Sequence, residues 1–174
     1  MSSSKMSQAY QINPIDVAKS HTSPTFLNNL NPKEVPIPEP GPNSVLVRIR
    51  AVSLNFRDLL IVADSPLYPV RSPPGLVPCC DGAGEIVSVG SNSKWASKIG
   101  ASVIVHPEKS WIDGDVSNYR FETTLGMGEN RGLLQQYVVV EDEWLILGPK
   151  NLGFEEMASL PCAGATAINV LSSI

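Results

Sequence analysis

A glycine pair that leads into a β-branched run constrains this 174-residue chain more than any other feature. In Asp81-Gly82-Ala83-Gly84-Glu85-Ile86-Val87-Ser88-Val89-Gly90 the glycines look like the opening of a phosphate-binding loop. Such a loop has to follow a strand and start a helix, whose N-terminus then carries the pyrophosphate. Gly84 instead opens Glu85-Ile86-Val87-Ser88-Val89, a β-branched stretch closed by Gly90, and the segment reads as a strand. Gly126-Met127-Gly128-Glu129-Asn130-Arg131-Gly132 fails as a dinucleotide fingerprint too, because its spacing is off by one and no strand precedes it.

Other strands follow from the same reasoning. Over Val45–Leu54, Val45, Val47, Ile49 and Ala51 share one face and Leu46, Arg48, Arg50 and Val52 the other, as in a sheet with one solvated side. Ala101–Val105, Leu133–Val140 and Trp144–Leu147 are further strand candidates. Asn55–Ala63 reads as a short helix ended by Pro66 and Pro69, and Phe154–Leu160 as a second, broken by Pro161. Ala163–Leu171 is apolar and helix-compatible. Pro32–Pro42 contains five prolines and is expected to be an extended connector. His106–Arg131 is a long polar insert without periodicity, and residues 1–31 look irregular and partly flexible. Many short strands punctuated by Gly and Pro point to a small β-barrel, mainly β with short helices.

Composition removes several function classes. The formal net charge is −4, with no Lys/Arg cluster, so nucleic acid is not an expected partner. No apolar run approaches the ~20 residues that span a bilayer, and the Ser-rich start lacks the apolar core of a signal peptide. The expected setting is cytoplasmic, with no membrane partner. The three cysteines, Cys79, Cys80 and Cys162, are odd in number and two are adjacent, which favours free thiols over a disulfide framework.

Five blocks in fixed order carry a family resemblance. They are Val45–Arg50 after Pro-Glu-Pro-Gly-Pro, Ala51–Leu60, Val77–Gly90, Leu133–Val140 and Phe154–Ala167. Together they resemble the medium-chain dehydrogenase/reductase family, in its zinc-type alcohol dehydrogenase-like branch, from about Val35 to the C-terminus. The resemblance implies a GroES-like β-barrel over residues 32–162, the alcohol dehydrogenase N-terminal domain. It further implies that residues 163–174 begin a connection to a nucleotide-binding Rossmann domain absent from this sequence. Ala101 departs from the acidic residue usual after the glycine at Gly100.

The same resemblance supplies candidate site residues. In zinc-bearing members two cysteines and a histidine hold the metal, and the matching positions here are Asn55, Cys80 and Cys162. An amide is a poor zinc ligand, and a catalytic zinc wants about three protein ligands, so no metal is expected even with Asp81 or Asp58 nearby in sequence. In zinc-free relatives the turn Asn55-Phe56-Arg57-Asp58 faces the nicotinamide and the substrate carbonyl. Asn55 and Asp58 are therefore the catalytic candidates, with the Asn55 amide donating to a carbonyl that gains negative charge. Asn55 as a plain helix cap is the equal alternative. Phe56 and Thr166 are the cofactor-contacting candidates. His106 and Trp111 are weaker candidates for lining a substrate pocket, and His21 is expected to be inert.

The function these readings imply is NAD(P)-dependent hydride transfer to or from a small carbonyl, alcohol or enone, by an alcohol dehydrogenase/quinone reductase-like oxidoreductase. Without a dinucleotide fingerprint the chain alone is expected to be inactive, a truncated form that binds no cofactor tightly. The alternative is a non-catalytic interaction module, docking a protein partner such as an intact paralogue through its apolar C-terminal segment.

Overall fold

The computed structural model describes residues 5–13, 26–108, 111 and 114–172. His21 lies outside the described residues. The chain divides into two compact units whose segments interleave in sequence.

The first unit draws on the described residues of Met1–Pro36, Leu54–Cys80 and Glu108–Gln135. Its two-stranded antiparallel sheet pairs β1 (Met6–Ile12) with β2 (Leu30–Pro36), from Met6 opposite Pro36 to Ile12 opposite Leu30. The reading of residues 1–31 as irregular is thus corrected over 6–12 and 30–31, and the expected connector Pro32–Pro42 is paired strand as far as Pro36. The buried positions of β1 are Ser7, Ala9 and Ile12, and small or polar residues at two of them hid the alternation. On its other side β1 donates from Tyr10 N to the Leu134 carbonyl and from Ile12 N to the Leu76 carbonyl, both at 2.9 Å. Among the described residues β2 pairs on one side only, a position that tolerates its prolines. Helix α1 (Phe56–Val62) packs Ile61 and Val62 against Ile12, Leu76 and Met127, with Leu30, Tyr68 and Val70 around them. Burying such side chains contributes about 1.5–3 kcal/mol each.

The second unit comprises Ile37–Ser53, Asp81–Pro107 and the described part of Gln136–Ile174. Its antiparallel sheet contains β3 (Ser44–Ser53), β4 (Asp81–Val89), β5 (Ser102–Val105), β6 (Tyr137–Glu141) and β7 (Leu145–Leu147), in the order β6-β3-β4-β5-β7. The fold is mainly β, as the GroES-like reading requires, with the described hydrogen-bonded ladder left open at β6 and β7. The glycine pair lies inside β4. A Cβ on Gly84 would sit 2.2 Å from the Arg48 carbonyl oxygen across the β3–β4 bulge, so close strand packing, not phosphate binding, selects glycine there.

Three sequence readings change here. In β3 the stretch Ser44–Val47 is buried throughout, so alternation with an exposed face begins only at Arg48. The central position of β3, flanked by β4 and β6, is consistent with that burial. Leu133–Gln136 precedes the strand proper, because Leu133 N bonds the Cys79 carbonyl and Leu134 N the Pro78 carbonyl, Gln135 makes only an isolated antiparallel bridge to Ala9, and β6 starts at Tyr137. Pro161 does not end the helical path. After α2 (Phe154–Ala158), Leu160–Gly164 forms a π turn with Pro161 in its first positions, where a missing N–H costs least, and α3 (Ala165–Ser172) follows. Met157 and Ala158 pack on Ala83 and Ile104, with Ala51, Leu152 and Phe154 adjoining. At the turn where Ala101 stands, backbone bonds alone carry the chain into β5, including Ala101 N to the Lys98 carbonyl at 2.9 Å and Gly100 N to the Ile86 carbonyl at 2.8 Å.

Candidate functional site

The turn that opens α1 is built by its own residues. Asn55 is extended (φ −118°, ψ 161°) and occupies the cap position, with Asp58 three residues on. The Asp58 carboxylate accepts the Asn55 N–H through Oδ2 at 2.8 Å, and Asp58 N donates to the Asn55 carbonyl at 3.0 Å. Reciprocal bonding of this kind satisfies donors that a helix start otherwise leaves open. Asp58 is buried, Asn55 half-buried, and Phe56 is 74% exposed beside exposed Leu54 and Leu59. The turn therefore presents an amide-bearing residue and an apolar surface together on a braced backbone.

Two groups lie behind the turn. Cys79 is buried, and burial first, then the Asp58 and Cys80 charges, push its pKa well above the usual thiol range. The thiol keeps its proton. Arg57 donates from Nε to the Tyr68 hydroxyl at 3.1 Å and from both Nη atoms to the Leu125 carbonyl at 3.3 Å, with its guanidinium 5.9 Å from the Tyr68 ring centroid. The Tyr68 hydroxyl in turn reaches Met127 Sδ at 3.4 Å. Burial works against the Arg57 charge, but Cys80, Tyr68 and Asp58 outweigh it and hold the guanidinium ionised. Arg57 and Tyr68 were missed as functional supports. Asn55 was legible as a cap by residue type at the helix start, whereas nothing local in sequence links residue 57 to residue 125.

Asn55, Phe56 and Asp58 thus share one turn. Thr166 lies exposed on α3 in the other compact unit. There Cys162 N donates to Asp81 Oδ2 at 3.3 Å, and Asp81 is fully buried at the start of β4. His106 extends the β5–β7 pairing through its backbone N–H to the Trp144 carbonyl at 2.7 Å. Trp111 belongs instead to an aromatic row in the first unit, 6.2 Å from Tyr119 between ring centroids.

Neither a three-ligand metal cluster nor a phosphate-binding loop is assembled among the described residues. Among the described residues no three His, Cys, Asp or Glu side chains converge as a metal site. Cys80 has the Arg57 cation as a neighbour, a poor setting for a second cation. Gly82–Gly84 is strand, and the chain from Gly126 to Gly132 is a turn region that leads into no helix. Neither can cradle a pyrophosphate. No described helix is long and apolar enough to cross a membrane.

Residues 41–150 match the family described as the alcohol dehydrogenase GroES-like domain. The chain belongs to that family. It is a medium-chain dehydrogenase/reductase chain of the zinc-type alcohol dehydrogenase-like branch. A zinc-type alcohol dehydrogenase-like protein of Schizosaccharomyces pombe is 39% identical over 152 residues, covering 87% of this chain and 43% of that relative. A trans-enoyl reductase of Aspergillus flavipes is 32% identical over 139 residues, covering 80% of this chain and 36% of its own length. Among solved structures, one assigned as an alcohol dehydrogenase from Sinorhizobium meliloti 1021 aligns with TM-score 0.79 and 30% identity, covering 99% of this chain and 47% of that one. The GroES-like chain therefore spans less than half the length of these relatives.

Proposed function

We propose that this GroES-like chain supplies the substrate side of a NAD(P)-dependent oxidoreductase acting on a small carbonyl, alcohol or enone. The observation that carries the reading is the Asn55–Asp58 turn: an amide-bearing residue on a rigid cap, flanked by exposed Phe56 and Leu59. The names of the relatives, alcohol dehydrogenase-like and enoyl reductase, support the same reaction class. In this reading the Asn55 side chain donates to the substrate oxygen, Asp58 holds the turn in place, and Phe56 excludes water from the reacting face. Phe56 and Thr166 are the residues proposed to meet a nicotinamide. The dinucleotide itself is held by groups other than these 174 residues, and zinc takes no part.

A titration followed by amide NMR tests this. Adding an α,β-unsaturated ketone should shift the Asn55 side-chain amide signals, and Asn55→Ala should abolish the response. NADH and NADPH should show no low-micromolar binding to the same sample. Micromolar affinity needs about −8 kcal/mol, whereas a few hydrogen bonds contribute about 0.5–1.5 kcal/mol each. Tight cofactor binding, or an enone response confined to other residues, would overturn the proposal.

The second reading, an interaction module, rests on α3, where Ile168, Val170 and Leu171 are 66%, 57% and 73% exposed. Sedimentation of wild type against a variant with all three changed to Ser tests it, since self-association or partner binding should disappear with the apolar side chains.

A further inference from the structure

Asp81 opens β4 with its side chain fully buried, and the reading of the Asn55 turn makes no use of it. Burying a carboxyl group is costly unless donors meet it. One donor is the Cys162 backbone N–H, 3.3 Å from Asp81 Oδ2 and 81 residues away in sequence. Cys162 is the middle residue of the π turn Leu160–Gly164, which joins α2 to α3. Bonds in this turn reach back five residues, from Gly164 N to the Ser159 carbonyl at 3.3 Å and from Ala165 N to the Leu160 carbonyl.

A π turn holds one residue more than an α turn, and one residue is about 100° of rotation in a 3.6-residue helix. The start of the helical path is anchored, because Met157 and Ala158 pack on Ala83 and Ile104. Tightening the π turn into α would therefore swing every side chain of α3, Thr166 included, by about that angle. We propose that Asp81 is a positioning residue: by accepting the Cys162 N–H from the side, its carboxyl group holds the π turn open and sets the direction in which α3 presents Thr166. Pro161, which has no N–H to donate, loosens the helical ladder at this point, and Asp81 supplies the outside acceptor from the sheet. Single π turns within helical paths recur at functional sites. The consequence for a nicotinamide rests on the reading of Thr166 given above, while the link from β4 to the turn stands without it.

Amide hydrogen exchange and nuclear Overhauser contacts in the 174-residue chain test this. Asp81→Ala should speed exchange at the Cys162 amide by about tenfold, as expected when a bond of this class is lost, without matching acceleration at Met157 in α2. The Thr166 methyl group should at the same time lose its wild-type contacts and gain others. Asp81→Asn keeps an acceptor oxygen of the same reach and should return both readouts to near wild type. In that variant the Cys162 amide proton resonance should still move further than that of Met157, because its acceptor has changed. Unchanged Cys162 exchange in Asp81→Ala, equal losses in both variants, or a Cys162 resonance indifferent to Asp81→Asn would each overturn the proposal. The nearly isosteric asparagine variant keeps it falsifiable if the alanine variant does not fold. No readout involves substrate or nicotinamide, so failure here is distinct from failure of the hydride-transfer reading.

Discussion

Arg57→Met should destabilise the first compact unit by about 2–4 kcal/mol. Two acceptors, the Tyr68 hydroxyl and the Leu125 carbonyl, lose charged donors at 3.1 Å and 3.3 Å, and such bonds contribute about 1.5–3 kcal/mol each. The guanidinium also lies 5.9 Å from the Tyr68 ring centroid, worth about 0.5–1 kcal/mol. Set against these, the variant no longer buries a charge, which offsets part of the loss. For a chain of this length each kcal/mol moves Tm by about 2–4 °C, so a drop of about 4–16 °C is expected. Urea unfolding followed at the Ile12 and Ile61 amides isolates the unit concerned. Arg57→Lys should recover less than half the loss, because a point charge cannot reproduce the fork that serves both acceptors. The folded pKa of Arg57 is raised, so its contribution is present at every pH below its unfolded pKa and should not vary across the acid and neutral range. A loss below about 0.5 kcal/mol, the ordinary range for a surface change, or a lysine variant as stable as wild type, would refute the reasoning.

Two further outcomes are expected. The folded Cys79 pKa lies above its ordinary 9.0, so the folded chain holds a proton that the unfolded chain releases, and stability should fall as pH rises past that value. The slope should approach about 1.4 kcal/mol per pH unit, and Cys79→Ala should flatten it, as read from urea midpoints at about pH 8 and about pH 10. Gly84→Ala should cost about 1–3 kcal/mol or more, because its Cβ would meet the Arg48 carbonyl oxygen at 2.2 Å. Differential scanning calorimetry checks this, and an unchanged Tm would show that the β3–β4 bulge yields more readily than its geometry implies.

What the sequence made legible is what local pattern encodes. The β-branched run after Gly84 had to be a strand, and it is the centre of β4. Asn55, a cap residue by type, is joined to Asp58 in the folded chain. By contrast β1 was illegible, because Ser7 and Ala9 occupy its buried positions and its partner lies some twenty residues away in β2. Leu133 was a good strand residue by type and is fully buried, yet its N–H is taken by the Cys79 carbonyl and not by a ladder. Pro161 carried a strong local rule that the π turn accommodates. In each case a partner distant in sequence decided the outcome.

The polar insert shows why the support of the site was the least readable part. Its rings form a row from Trp111 to Tyr119 at 6.2 Å, Tyr119 to Phe121 at 6.3 Å, and Phe121 to Tyr68 at 5.6 Å. Glu108, itself buried, accepts hydrogen bonds from the Thr123 and Thr124 hydroxyls and gathers the base of the insert. Aromatic pairs of this geometry contribute about 0.5–1.5 kcal/mol each beyond their buried area. No helical or strand period can arise from rings placed at residues 111, 119, 121 and 68, since the regularity exists only in space. The row ends at Tyr68, which Arg57 grips, and Arg57 is the neighbour of Asp58 on α1. The segment without periodicity is therefore what fastens the helix whose first turn carries Asn55. A substitution that loosens the ring row, such as Phe121→Ala, acts on the candidate site through Tyr68 and Arg57 without touching it.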